Sequence, residues 1–246
     1  MKREHHRLWS PGFEAEGGLL AYGHWGRPVL AFPTSEGSSR EYEDFGMVAA
    51  ISDLIEGGRA KLYVVDSADS ASWFARHLDL EDRALVHDRY EQWIVDQVLP
   101  FIVNDCGGRA DVIVTGCSFG AYHAANVALR RADIFPLAIC HSGMYDIATL
   151  GDGHRGDAVY FHNPVDYVAH LDGEHLDWLR RTAHLVLVCG QGQWEDTTGS
   201  LDSTRRLAEQ CHDKGLNVEL DLWGHDVPHD WPSWCSQLAH HLPRFC

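Results

Sequence analysis

The chain has 246 residues, 45% of them hydrophobic, and a formal charge of −16 from 20 basic and 36 acidic side chains. That length suits a single α/β domain with a large core, and the negative balance disfavours nucleic acid and anionic lipid as partners. No apolar run approaches the length of a membrane span. The basic start Met1 to Arg7 lacks an apolar signal core, and seven cysteines lie scattered with no C-x-x-C pair, which points to a reduced, cytoplasmic protein.

Two antiparallel strands are expected around Arg7–Trp9 and Gly18–Tyr22, then a short buried strand from Arg27 to Pro33. The polar loop Thr34-Ser35-Glu36-Gly37-Ser38-Ser39 follows, then a helix from about Tyr42 to Glu56 stopped by Gly57-Gly58. Lys61–Val65 reads as a strand, and 68–82 as loop plus a short helix. Trp93, Ile94, Val98, Phe101 and Ile102 recur at helical spacing within His87–Cys106, with a kink expected at Pro100.

The β-branched run Val112 to Thr115 then meets Gly116-Cys117-Ser118-Phe119-Gly120 and an Ala-rich helix. Strand, G-x-S-x-G, helix is the context of a nucleophile elbow. Glycine at the two flanking positions removes side chains that would clash on so tight a turn, and the Ser oxygen is held at the positive end of a helix. A strand at Leu137–Gly143 precedes a long strandless stretch, 144–181, rich in aromatic and polar residues and expected to be a lid or pocket wall. Leu185–Gly190 is a strand, Ser200–Lys214 a helix, Val218–Trp223 a strand near a sheet edge, and a last helix begins near Asp230. No internal repeat or long linker interrupts the alternation. It implies a mainly parallel central sheet with helices on both faces, in which ligands bind beyond the C-terminal strand ends.

A Ser hydroxyl needs a base within hydrogen-bond reach and an acid to orient that base, in the chain order Ser, acid, His for this fold. The base falls in Trp223-Gly224-His225-Asp226-Val227-Pro228-His229-Asp230, which offers His225 and His229. The same segment could be read as a metal ligand set, but Pro228 argues against the continuous helix that an i, i+4 pair requires, and no metal or cofactor is expected. The acid falls in Gln191–Thr198, whose carboxylates are Glu195, ranked first, and Asp196; either could instead cap the next helix. The oxyanion donors are expected to be the backbone N–H of Phe119 and one from the loop after the Val29–Phe32 strand, with Ser35 and Glu36 as its owners. Cys117 is read as a packing residue.

These residues resemble the α/β-hydrolase superfamily, and within it the putative-esterase branch of esterase-D-like enzymes, enterochelin esterases and mycolyltransferases. The resemblance rests on Phe32-Pro33-Thr34-Ser35, on Gly116 to His123, on Tyr160-Phe161-His162-Asn163-Pro164-Val165-Asp166-Tyr167, and on His229-Asp230-Trp231-Pro232-Ser233-Trp234. It spans nearly the whole chain. The last segment is similar to a His-Asp-Trp-Pro-x-Trp pattern whose His is catalytic, which favours His229 over His225. One departure is Val227-Pro228, where the branch commonly has Gly before that His. The implied activity is that of a serine hydrolase acting on small carboxylic esters through an acyl-enzyme on Ser118, with Tyr160, His162 and Asn163 in the substrate pocket. An acyltransferase on the same apparatus, or a catalytically silent binding protein with this fold, are the rival readings. A homo-oligomer is left open.

Overall fold

A computed structural model describes residues 1–151 and 156–246. Among the described residues the eight strands are β1 (Arg3–Ser10), β2 (Ala15–Tyr22), β3 (Arg27–Phe32), β4 (Ala60–Val65), β5 (Ile113–Cys117), β6 (Leu137–His141), β7 (His184–Cys189) and β8 (Asn217–Leu222). They form one sheet in the order β1-β2-β4-β3-β5-β6-β7-β8. The β1–β2 and β2–β4 pairs are antiparallel and every other pair is parallel. The α/β class and the mainly parallel sheet read from the sequence are what the chain forms. The helices are α1 (Glu41–Asp44), α2 (Met47–Ala50), α3 (Ser52–Glu56), α4 (Leu80–Trp93), α5 (Leu99–Asp105), α6 (Phe119–Arg130), α7 (Asp157–Phe161), α8 (Pro164–His170), α9 (Gly173–Thr182), α10 (Ser200–Asp213) and α11 (Trp231–His241).

Alternation along the buried strands feeds two cores. Leu30, Phe32, Val114, Leu185 and Leu187 pack with α4, α6 and α10 on one face, while Val29, Ala31, Ile113, Val186 and Val188 pack with α2, α3 and α11 on the other. Helix α6 lies so deep that every residue from Phe119 to Leu129 is buried. That explains its alanines, which give high helix propensity and small volume on a helix buried all round. No described helix is long and apolar enough to cross a membrane.

Two expectations need correction. The single helix expected over 42–56 is three short helices, broken where Gly46 adopts φ 87 and Ile51 leaves helical geometry; apolar spacing alone did not reveal a left-handed glycine inside the period. The irregularity expected at Pro100 begins before it, as a π-helical turn at Ile94–Val98 that joins α4 to α5. At its end the Leu99 N–H reaches back to Ile94 O, the last such donor before the proline, which has no N–H to give.

Beside the elbow strand, His141 at the end of β6 is fully buried and directs Nδ1 to Gln237 Oε1 at 3.2 Å. Burial, with a smaller contribution from His241, pushes its pKa down from 6.5 to about 3. From pH 6.5 down to about 3 the unfolded chain therefore takes up a proton that the folded chain refuses. This contribution to stability is complete above pH 6.5 and is lost as the pH falls. We expect urea unfolding at pH 5.5 to show lower stability than at pH 7.5, with a shallower pH slope in His141→Asn. An equal slope in that variant would assign the effect elsewhere.

Candidate active site

Ser118 follows β5 directly and holds φ 54, ψ −119, a strained conformation for a residue with a side chain. The flanking glycines are sterically required. A Cβ on Gly116 would lie 2.1 Å from the Gly120 carbonyl oxygen, and one on Gly120 would lie 2.4 Å from those of Phe32 and Pro33. The start of α6 is thus pressed backbone to backbone against the end of β3, so the Thr34–Gly37 loop begins beside the elbow.

Ser118 Oγ lies 3.0 Å from His229 Nε2, and His229 Nδ1 lies 2.9 Å from Glu195 Oε2. A carboxylate only accepts, so Nδ1 carries the ring proton and Nε2 presents its lone pair to the Ser118 hydroxyl. Glu195 is fully buried. Its Oε1 accepts from Ser142 Oγ at 2.5 Å and from the Gly190 N–H at 3.3 Å, and Oε2 also accepts from Cys189 Sγ at 3.4 Å. Trp234 Nε1 donates to Ser142 Oγ at 3.1 Å, and the Trp234 ring stands edge-on to His229 with centroids 4.9 Å apart. A buried charge is tolerated only when its lone pairs are used, and here they are.

The loops holding acid and imidazole are laced together by backbone. The Gly192 N–H donates to Val227 O at 2.9 Å, and the His229 N–H to Gln193 O at 3.0 Å. Gly190 and Gly192 permit this approach, since a Cβ on either would meet Val227 O at 2.1 and 2.7 Å. Val227, which departs from the branch pattern in sequence, therefore contributes through its carbonyl. Asp230 caps α11, accepting from the Ser233 N–H at 3.0 Å, so the imidazole stands just ahead of a fixed helix start.

The other sequence candidates are placed apart from this chain of bonds. His225 is exposed, with Nδ1 3.3 Å from Gln191 O. Asp196 is exposed and accepts from the Thr197 N–H at 2.8 Å; the helix cap considered for it falls instead at Gly199. Phe119 is the first residue of α6, where its N–H has no intrahelical acceptor. Among the described residues no group accepts from the Ser35 N–H. The Glu36 N–H donates to Asp69 Oδ2 at 3.2 Å and is thereby committed within the fold.

Of the residues expected in the pocket, His162 and Asn163 are buried and bonded within the scaffold, and Tyr160 is half-buried. His162 is buried against Arg130 and Asn126 of α6. At a rise of about 1.5 Å per residue Asn126 stands roughly 10 Å and Arg130 roughly 16 Å along the helix from Phe119. Asn163 spends its amide on Asp146, Asp166 and the Ile147 N–H, and the Tyr160 ring packs on Phe161 and His170. A run of polar and aromatic residues in an insertion does not by itself show which face they take. Within the 144–181 stretch, of which 152–155 lie outside the described residues, Thr149, Leu150 and Gly151 line a cleft of about 710 Å³ with Phe74, Arg76 and Leu78. The Phe74 ring meets the Phe119 ring at 5.1 Å, which puts this cleft next to the elbow.

His87, Glu91 and His162 bring potential metal-ligand atoms within 4.8 Å of one another. Arg130 already fills that role, with Nε 3.2 Å from Glu91 Oε1 and Nη1 2.7 Å from His162 Nδ1. A resident guanidinium makes a poor neighbour for a metal ion.

A family model described as "Putative esterase" matches residues 30–245. The chain belongs to this esterase family. Ester hydrolysis is accordingly its class of reaction. Solved structures similar to this esterase include a ferulic acid esterase, at 17% identity and TM-score 0.78 over 99% of this chain and 97% of that one. MPT51 (FbpC1) from Mycobacterium tuberculosis is similar at 13% identity and TM-score 0.74, over 99% and 97%. S-formylglutathione hydrolase (FrmB) from Staphylococcus aureus is similar at 14% identity and TM-score 0.69, over 99% and 98%. At such identities the likeness is one of fold. No curated protein matches the sequence.

Proposed function

We propose that this esterase cleaves small carboxylic esters through an acyl-enzyme on Ser118, with His229 as base and Glu195 as the acid that orients it. The observation that carries the reading is the unbroken run Ser118–His229–Glu195, at 3.0 and 2.9 Å, ending on a buried carboxylate. Ser118 Oγ attacks the ester carbonyl while His229 Nε2 takes its proton. The carbonyl oxygen becomes an oxyanion, received by the N–H groups of Phe119 and Ser35. Each such donor is worth about 3 kcal/mol at the transition state. Collapse breaks the carbon–oxygen bond to the alcohol, whose oxygen takes the proton from His229. Water then adds to the acyl-enzyme with His229 again as base, the bond from the acyl carbon to Ser118 Oγ breaks as Oγ takes the proton back from His229, and the acid departs. The cleft beside Phe74 and Phe119 receives one arm of the ester.

A fluorophosphonate probe tests this. It is expected to label the wild type once, on the peptide carrying Ser118, and to leave His229→Ala unlabelled on the same timescale. A folded wild type that stays unlabelled, or takes the probe on another residue, would overturn the reading.

A further inference from the structure

Asp69 and His123 form a second buried carboxylate–imidazole pair, 1% and 2% exposed, with Nε2 2.9 Å from Oδ1. No step of the reaction above uses it. Its two ends touch the two parts of the site that must stay in register. His123 sits one turn after Phe119 on α6 and meets its ring edge-on at 5.1 Å. Asp69, from the loop after β4, accepts from the Glu36 N–H through its other oxygen.

Glu36 is the strained point of the loop after β3, at φ 56 with a full side chain. Such a conformation persists only when its surroundings hold it. Bonds on both sides of Glu36 hold it. Besides the Asp69 bond, the Ser67 N–H donates to Gly37 O at 3.1 Å and Ser67 Oγ accepts from the Asp69 N–H at 2.9 Å. Glu41 accepts from both the N–H and the hydroxyl of Thr34 at 2.9 Å. Thr34 and Glu36 are thus tied on either side of Ser35, whose own N–H is left for a ligand.

We propose that Asp69 and His123 are positioning residues, a strut between α6 and the Thr34–Gly37 loop that sets the Ser35 N–H against the Phe119 N–H as the two halves of the oxyanion hole. This rests on the reading of Ser118 as nucleophile. Because Asp69 accepts on both oxygens, His123 carries its proton on Nε2. The pair acts by geometry and passes no proton to the substrate. A hole assembled from two elements loses its stabilising effect when one donor drifts, and the loss falls on the transition state more than on the bound ester.

The test compares wild type, Asp69→Ala, Asp69→Asn, His123→Phe and Ser118→Ala with a small aryl ester and an aryl boronic acid, whose tetrahedral adduct on Ser118 places an oxygen in the hole. Asp69→Ala is expected to lower kcat about 10- to 100-fold with KM moved less than about 3-fold, and to weaken boronate binding by a similar factor. Asp69→Asn, which can still accept from the Glu36 N–H while its amide donates to the other tautomer of His123, restores most of both. His123→Phe keeps the ring packing and reads out the same effect should Asp69→Ala fail to fold. A folded Asp69→Ala or His123→Phe with kcat within about 3-fold of wild type, or one whose loss lies in KM alone, overturns the strut while leaving the nucleophile standing. Undiminished hydrolysis by Ser118→Ala overturns both.

Discussion

Ser118→Ala is expected to lower kcat for a small ester by about 10⁴- to 10⁶-fold, with KM little changed. The variant keeps the oxyanion donors and the cleft, so a small residual rate over water should survive. Among the described residues no other hydroxyl is hydrogen-bonded to His229. Cys117, the neighbouring nucleophile by sequence, is fully buried, with its sulfur 3.9 Å from the Tyr42 hydroxyl on the far side of the strand and its pKa raised well above 9.0 by burial. Removing Oγ also relieves no strain, because alanine at φ 54 is as disfavoured as serine. Thermal stability should therefore match the wild type, and steady-state kinetics on folded protein check the result. A variant that retains a tenth of the rate would remove Ser118 from the chemistry.

Glu195→Gln should cost about 10³- to 10⁴-fold in kcat, for a reason visible in the hydrogen bonds. The Gly190 N–H can only donate, and it points at Oε1. The glutamine oxygen must occupy that place, which leaves its NH₂ where Oε2 faces His229 Nδ1. Nδ1 must then accept, the ring proton moves to Nε2, and the Ser118 hydroxyl loses its base. Asp196→Asn and His225→Ala, at exposed positions outside this chain of bonds, are expected to change kcat by less than about 3-fold. Equal losses in Asp196→Asn and Glu195→Gln would mean that the acid loop acts by its charge rather than by this one geometry. The rates of the four proteins at one pH decide it.

Local physics made a large part of the molecule readable. A β-branched run, two glycines and an alanine-rich segment specify strand, sharp turn and helix within 16 residues, since each constraint acts between near neighbours. Asp230 before Trp231 and Pro232 marks a helix start for the same reason. Glu195 and Asp196, by contrast, are adjacent residues of similar chemistry. Trp194 at φ 71 turns the backbone so that one carboxylate goes inward to Ser142, Gly190 and His229 while the other stays in water. Ser142, which completes the surroundings of Glu195, carries no signal beyond lying at a strand end, and Trp234 is marked in sequence only as the last residue of the His-Asp-Trp-Pro-x-Trp pattern.

By itself the sequence determined the alternation of strands and helices, the elbow and the short set of polar residues at the strand ends, because these follow from periodicity, propensity and turn sterics over a few residues. Tertiary structure decided which carboxylate and which imidazole share a bond, that Glu36 spends its N–H on Asp69, and that His162 and Asn163 serve the scaffold. Those outcomes depend on contacts between residues tens of positions apart. Their partners exist only once the sheet brings β3, β5 and β7 side by side.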